Sequence, residues 1–498
     1  MNLLGRVFSR KVLWIVLWTL HVLLLVAIVC GLWALGRYYR VDSALLSPLP
    51  RLHGIWLPLL FVLLYAAGWL AWWFVRLLTD PADGEFPDVL DAWNEGLQAL
   101  NAAGIDPSAV PVFLVVGKPA SGPADFFAAT EMPFAVRGEP RRSDAPVRIY
   151  ADREAIYVVA ERASAVSRLA EVLTIQILRA DAMTKSSLPP KPQPDAESLL
   201  DVLYAEPEIA GSGVDLFASD KPTLNATDWL PKPGAAAIAE LTADEINRES
   251  ARLRYLCRLI AARRRPVCSA NGILWLLPLA ASDSAAAADR AATICKADLA
   301  AIESGLRVDC PMTVVVADAQ VMPGFRLMAT GLPGGVGRER LFGRMFPLVP
   351  NLPAERRHEM VTDGLDWLAR HLTPALLYQR FGGGVEPEEG AKLWRLAGDV
   401  YDRRDPLARL VAQGLLGRPN RPPMLTGIYY AATGPDERDR AFAAGSLREL
   451  VSNQNFVKWT EAAIEHEGDC RRMAALGYLA ASVLVIAVIA FGVWSWNE

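Results

Sequence analysis

Three apolar segments of membrane-spanning length frame the chain and limit what it can fold into. They cover about residues 12–35 and 55–75 near the amino terminus and residues 473–494 near the carboxyl terminus. A transmembrane helix needs about 20 predominantly apolar residues, and each segment meets that length. We expect residues 1–79 to form a transmembrane hairpin and residues 473–494 to form a third transmembrane helix. The residues between them are then held to the bilayer at both ends.

Basic residues at the amino terminus predict the orientation of the hairpin. Arg6, Arg10 and Lys11 precede the first span, and positive charge favours the cytoplasmic side. No small-residue cleavage site follows the span, so we interpret it as a retained anchor rather than a signal peptide. The loop between the two spans also carries arginines, which weakens the charge contrast. With this orientation the protein is multi-pass and its soluble part, residues 80–470, lies in the cytoplasm.

His21 lies inside the first predicted span. Ionisable groups within a bilayer are often functional, so a transport or sensing pathway through the hairpin is one hypothesis. The alternative is a neutral imidazole that contacts a partner helix. We favour the alternative because so few ionisable residues make a poor pathway.

Two glycines follow a predicted buried strand at residues 112–116. Gly117 and Gly122 have the G-x-x-x-x-G spacing of a P-loop and precede a predicted helix. A working P-loop continues with a Lys that reaches the phosphates and a Ser or Thr that binds Mg²⁺, but Pro123 and Ala124 occupy these positions. Pro123 also lacks a backbone N–H for the phosphate cradle. We interpret the stretch as a nucleotide site without its chemistry, although an ordinary strand-to-helix turn would have the same spacing.

Short apolar runs alternate with amphipathic helices between the spans. This alternation is typical of an α/β fold with a mostly parallel sheet. Strands are predicted at 112–116, 271–280, 312–317 and 425–431 and as a pair within 147–160, and helices at 87–103, 164–179, 245–265, 285–305 and 440–466.

The same patterns suggest two domains between the spans. We expect an α/β domain at 80–350, followed by a helical extension at 351–470 that contains the late strand at 425–431. A segment rich in Pro, Asp and Ser at about 185–232 is hard to pack, so we interpret it as a linker or long surface loop.

Composition argues against nucleic-acid binding, a disulfide framework and a metal site. The net charge of −4 gives no global electrostatic support for nucleic-acid binding. The six cysteines include no C-x-x-C pair and the five histidines are dispersed, so we expect neither a disulfide framework nor a metal site. Arg263-Arg264-Arg265 could bind phosphate or lipid headgroups, but a solvated helix end that the helix dipole favours is the interpretation we prefer.

The ordered set of segments resembles the amino-terminal half of the IcmF (TssM) family, inner-membrane proteins of type VI secretion systems. Members of that family have a transmembrane hairpin, a cytoplasmic GTPase-like domain with a helical extension, and a third span before a large periplasmic region. The resemblance implies a P-loop-like fold, a degenerate G-domain, in this chain. It rests on five segments: Pro111 to Phe126 is similar to P-W-Y-L-V-I-G-x-P-G-x-G-K-T, Asn271 to Leu274 to N-G-V-I, Cys310 to Phe325 to P-V-Y-L-V-L-T-K-L-D-x-x-x-G-F, Phe342 to Pro347 to L-G-x-T-F-P, and Thr426 to Thr433 to R-G-V-Y-F-T-S.

Three sets of nucleotide contacts implied by the family pattern are missing from this chain. The first is the Lys and hydroxyl of the P-loop. The second is the guanine-reading T-K-x-D, which is replaced by Ala317, Asp318, Ala319 and Gln320, so that Asp318 stands at the Lys position and Gln320 at the carboxylate position. The third is the D-T-A-G segment, which falls near residues 159–162 without its Asp or its Gly.

These losses favour a structural role over catalysis. Lys118 could replace one missing contact but not all three. We expect a non-enzymatic anchor or docking component of a type VI secretion-like or contractile-injection-like complex in the bacterial inner membrane, with no cofactor and without the family's periplasmic region. Expected partners are the bilayer, other membrane-complex and cytoplasmic baseplate-like proteins, and further copies of the chain. The alternative is a membrane-anchored nucleotide-dependent switch with an atypical GTP or ATP site.

Overall fold

A computed structural model describes most of the chain between the predicted spans. It covers residues 85–187, 241–332, 340–348, 352–417 and 424–465, with parts of 21–69 and 467–478. Parts of each predicted span and almost all of the Pro-rich segment at 185–232 lie outside the described residues. Among the helices that are described, none is long and apolar enough to cross a membrane.

The described helices and strands follow the predicted alternation. The helices are α1 Pro87–Ala102, α2 Pro123–Ala129, α3 Ala165–Ser187, α4 Ala243–Arg264, α5 Ala285–Leu306, α6 Phe325–Thr330, α7 Ala354–Trp367, α8 Thr373–Gly382, α9 Pro387–Gly414 and α10 Ala443–Ser452. The strands are β1 Val112–Gly117, β2 Val136–Glu139, β3 Arg148–Ala151, β4 Ile156–Ala160, β5 Gly272–Pro278, β6 Val308–Asp309, β7 Met312–Ala317, β8 Phe342–Met345, β9 Leu425–Tyr430, β10 Ala432–Thr433, β11 Arg440–Ala441 and β12 Lys458–Trp459.

An eight-stranded sheet in the order β2-β3-β4-β1-β5-β7-β9-β8 forms the centre of the fold. The five inner strands from β4 to β9 run parallel, whereas β2 and β3 at one edge and β8 at the other pair antiparallel. The inner strands are predominantly apolar and are buried along their whole length, as expected for a parallel sheet covered on both faces. The predicted α/β class with a mostly parallel sheet is confirmed.

Helices cover the sheet and fix the edge at which β1 ends. An aromatic core, in which Phe127 of α2 stacks on Tyr150 of β3 with ring centroids 3.9 Å apart, joins the sheet to α2 and α10. Helix α3 packs on β1 and β5 and against α4 and α5. Because parallel strands end at one edge, the residues after β1, β4, β5 and β7 are brought together there.

The helices α7 to α9 are inserted between two neighbouring strands, β8 and β9. Two ion pairs connect α9 to the segment that follows β5: Arg403 Nη2 lies 2.6 Å from Asp283 Oδ1, and Arg409 Nη1 lies 3.4 Å from Asp289 Oδ2. Gly84–Ala463 forms one compact unit, and Met1–Asp83 with Ile464–Glu498 forms another. The boundary expected near residue 350 therefore falls inside one unit, and the late strand lies in the central sheet beside β7.

One predicted helix is wrong over much of its length. Residues 440–466 were expected to be helical, but α10 ends at Ser452 and is followed by β12. Lys458 and Trp459 of β12 pair antiparallel with Asp309 and Val308 of β6. This pairing with a distant segment overrides the local helical pattern.

In the unit that contains the amino terminus, His21 contacts the second predicted span. Its Nε2 lies 2.6 Å from Tyr65 Oη, within hydrogen-bond distance. This contact is the one expected if the imidazole serves to join the two helices of the hairpin.

Candidate functional site

The two predicted glycines shape a loop between β1 and α2. Gly117 ends β1 with φ +92°, and a Cβ at this position would lie 2.0 Å from the carbonyl oxygen of Leu276. Gly122 precedes α2 with φ +101°. Both positions have backbone conformations that favour glycine. We refer to residues 117–122 as the glycine loop, and its strand-loop-helix geometry is the one that the sequence predicts.

The glycine loop is attached to the residues that follow β7 and β9. Ala120 donates its backbone N–H to Asp318 Oδ2 at 2.9 Å. Ser121 donates its hydroxyl to the carbonyl oxygen of Thr433 at 2.9 Å. One amide of the loop is thus already bonded to a negatively charged side chain of the protein.

Asp318 sits at the centre of this attachment. It is buried, has φ +65°, and accepts a second hydrogen bond from the Thr433 hydroxyl at 3.1 Å. Burial raises the pKa of Asp318, while the hydrogen bonds from Ala120 and Thr433 oppose that shift. Gln320 Oε1 accepts a hydrogen bond from the Thr433 N–H at 2.9 Å. The structure therefore brings together the two segments predicted as a degenerate phosphate loop and a degenerate base-reading loop, the latter beginning at Ala317.

Lys118 lies beside the loop and faces α3. Its side chain is only 12% exposed, and Nζ is 4.0 Å from Glu171 Oε2. Burial lowers the pKa of Lys118, whereas the charges of Glu171 and Glu161 act in the opposite direction. The ammonium group is therefore held against carboxylates of the protein.

Pro123 and Ala124 begin α2 where a P-loop would place its Lys and hydroxyl. Pro123 is buried at the first helical position, where proline is well tolerated. Ala124 is exposed and carries no ligand group. The first turn of α2 also holds Asp125, whose Oδ1 is 3.8 Å from Arg440 Nη2.

The end of β4 corresponds to the third expected nucleotide segment. Glu161 forms an ion pair with Arg148 of β3. The backbone N–H of Arg162 donates to the carbonyl oxygen of Pro146 at 3.0 Å. Both residues are thus engaged with the neighbouring antiparallel hairpin.

Asp298 is a buried carboxylate that the sequence analysis missed. It accepts hydrogen bonds from the backbone N–H groups of Ala165 and Val166, at 3.2 and 2.9 Å, and from the Ser250 hydroxyl at 2.8 Å. These bonds cap the amino terminus of α3. Burial raises the pKa of Asp298 to about 6, although its hydrogen bonds oppose the shift. The sequence signal that could have indicated its burial is its spacing, because Asp298 follows the buried Cys295 of α5 by about one helical turn.

Arg264 corrects the interpretation of the triple arginine. Its neighbours Arg263 and Arg265 are exposed, but the Arg264 guanidinium is buried. It donates to the carbonyl oxygens of Val110 and Cys268 at 2.6 and 2.7 Å, to Asn271 Oδ1 at 3.1 Å, and to the carbonyl oxygen of Pro107. The middle arginine therefore holds the loop before β1 against the loop before β5, and it is not a solvated helix end.

Comparison with known proteins supports the predicted resemblance over part of the chain. Residues 247–458 match the family described as the IcmF-related N-terminal domain. This range begins in α4, includes β5, β7, β9 and the inserted helices, and ends at the first residue of β12. The glycine loop lies outside it. No curated protein and no solved structure matches the chain.

Proposed function

We propose that this chain, which contains an IcmF-related N-terminal domain, is a non-enzymatic anchor or docking component of a type VI secretion-like or contractile-injection-like complex in the bacterial inner membrane. The family match supports a type VI secretion-like component. The three apolar segments support the membrane location, with residues 80–470 on the cytoplasmic side. The lack of nucleotide chemistry is argued from the glycine loop, and the docking role from exposed aromatic side chains.

The hydrogen bond from Ala120 to Asp318 carries this proposal. A P-loop binds phosphate through backbone N–H groups that converge on the anion. Here the Ala120 N–H donates to the Asp318 carboxylate. A phosphate placed against this amide would have to displace a carboxylate or lie beside it, and like charges at such short range repel. Pro123 adds no donor and Ala124 adds no Mg²⁺ ligand.

Exposed aromatic side chains on the inserted helices support the docking part. Tyr378 of α8 is 81% exposed and Trp394 of α9 is 75% exposed. Tyrosine and tryptophan are enriched in protein interfaces, where they contribute much of the binding energy. The expected partners are other membrane-complex and cytoplasmic baseplate-like proteins, or further copies of the chain.

The second candidate function is a nucleotide-dependent switch, and the position of Lys118 favours it. Its ammonium group is next to the glycine loop and mostly shielded from solvent. If the contact with Glu171 broke, this cation could reach a phosphate. The switch would then use Lys118 in place of the missing P-loop Lys.

Thermal unfolding of the full chain in lipid nanodiscs, with and without Mg-GTP or Mg-ATP, separates the two candidates. A ligand that binds the folded state stabilises it by about 2.7 kcal/mol at a hundredfold excess over Kd. The docking proposal predicts no change in Tm at millimolar nucleotide. A rise of several degrees that Lys118→Ala abolishes would instead establish the switch, provided that the exposed control Lys296→Ala retains the rise.

A further inference from the structure

A groove on the sheet lies at the end opposite the glycine loop. It is formed by the β3–β4 turn and the last turn of α10, and its volume is about 250 Å³. Met132 and Val451 give it apolar walls. The space is sufficient for one long side chain with accompanying water.

Two carboxylates, those of Asp152 and Glu154, line the groove. Asp152 Oδ1 accepts hydrogen bonds from the backbone N–H groups of Glu154 and Ala155, at 2.7 and 2.8 Å, which fixes the turn. Glu154 is exposed. Neither carboxylate lies within ion-pair distance of a basic group in the described part of the chain, although Arg448 also lines the groove. The lining thus carries one more negative charge than positive charge.

Two further features of the groove favour a cation. Tyr157 lines it and is fully buried, and its hydroxyl has no hydrogen-bond partner among the residues that the structure describes. Val451 and Ser452 form the last turn of α10, where the helix dipole places partial negative charge. An unpaired hydroxyl, two carboxylates and a helix carboxyl terminus together suit a positively charged group.

We propose that this groove binds one lysine or arginine side chain of a partner protein. The aliphatic stem packs between Met132 and Val451, and the charged end lies beside Asp152 and Glu154 and within reach of Tyr157. Basic side chains commonly bury their stems in this way while the charge stays near water. The inference rests on the proposed docking function and specifies one contact by which a partner is recognised.

Methyl NMR of the full chain in detergent micelles tests the groove directly. The chain has 10 methionines, so ¹³C-methyl labelling gives few signals, and Met132→Leu identifies the one in the groove. The probe is N-acetyl-lysine N-methylamide, with the N-acetyl-norleucine analogue as its neutral match. We expect the lysine probe to shift the Met132 signal at millimolar concentration and the norleucine probe to leave it unchanged.

Charge variants show whether the two carboxylates are responsible for binding the lysine probe. Asp152→Asn with Glu154→Gln should raise the probe's Kd about five- to tenfold, because each exposed charge pair contributes up to about 1 kcal/mol. Arg448→Gln should lower the Kd, and Tyr157→Phe should raise it. Asp144→Asn, a charge change outside the groove, should have no effect.

Three results would overturn the inference. The first is an equal shift of the Met132 signal with both probes, and the second is no shift with either probe. The third is a Kd for the lysine probe that is the same in the charge variants as in the wild type. None of them would bear on nucleotide independence, which the thermal unfolding experiment measures separately.

Discussion

Asp298 and Asp318 are buried carboxylates that accept hydrogen bonds from backbone N–H groups of distant segments. Asp298 bonds to Ala165, 133 residues away, and Asp318 bonds to Ala120, 198 residues away. The first caps a helix, as anionic groups do at helix amino termini. The second occupies an amide of the glycine loop, whose Gly117 and Gly122 have the spacing of a phosphate-binding P-loop. Similar chemistry thus stabilises α3 in one place and engages the glycine loop in the other.

The stability of the protein should depend on pH through Asp298. Burial raises its pKa to about 6, against about 3.9 for an unfolded aspartate, which corresponds to about 3 kcal/mol. Because the folded state then binds the proton more tightly, this group's contribution to the free energy of unfolding falls as pH rises from about 4 to about 6. Asp298→Asn should remove that component, as urea unfolding of the full chain in mild detergent at several pH values would measure.

The matched control for this experiment is Asp144→Asn, since Asp144 is an exposed aspartate. It should leave the pH profile of the wild type unchanged. The account would be contradicted if the free energies of unfolding of the wild type and Asp298→Asn differed by the same amount at every pH. A difference of the opposite slope would mean that the three donors outweigh burial and lower the pKa.

The sequence predicts part of the glycine loop but not its contacts. The spacing of Gly117 and Gly122 after an apolar run predicts the strand, the loop and the helix, because each feature is local. The bond between Ala120 and Asp318 joins positions that only the folded sheet brings together. The orientation of Lys118 toward Glu171 likewise depends on how α3 packs beside β1.

Among the elements, the inner strands were predictable and the edge strands were not. The inner strands are predominantly apolar, and burial on both faces of a sheet favours such sequences. β2 and β8 are four residues each and partly exposed. Each mixes apolar residues with glycine and arginine, so the sequence of these strands resembles that of loops. The helical pattern after residue 440 was misleading because β12 pairs with β6, a contact that local periodicity does not contain.

Arg264 should be the arginine on which the end of α4 depends. Its guanidinium donates to four acceptors in a buried position, and hydrogen bonds to charged groups contribute about 1.5–3 kcal/mol each when they are disrupted. Arg264→Lys keeps the charge but loses the planar fork, and we expect it to lower the free energy of unfolding by about 2 kcal/mol or more.

The exposed neighbour supplies the control at this element. Arg263→Lys should change stability by less than about 0.5 kcal/mol, as is usual for surface substitutions. Chemical denaturation of the two variants and the wild type in the same detergent gives both values. Equal effects of the two substitutions would contradict the structural role of Arg264.

On the scale of the whole molecule, the chain is expected to be held to the membrane at both ends. Alkaline carbonate extraction should leave the full chain in the membrane pellet, as it does for integral membrane proteins. A chain without residues 1–79 and a chain that ends at residue 470 should each remain there, because one anchor is left. Residues 80–470 alone should be released. Release of the full chain would contradict the predicted spans.

The central claim is that this protein works by contact and without nucleotide. The most direct measurement is the size and composition of the complex that the tagged full chain forms in mild-detergent extracts of its native membranes. We predict that the chain migrates with other proteins, and that neither nucleotide depletion nor a non-hydrolysable GTP analogue changes the complex. Migration of the chain alone would contradict docking. Nucleotide independence would be contradicted if nucleotide depletion dissociated the wild-type complex while the complex of Lys118→Ala did not respond to nucleotide.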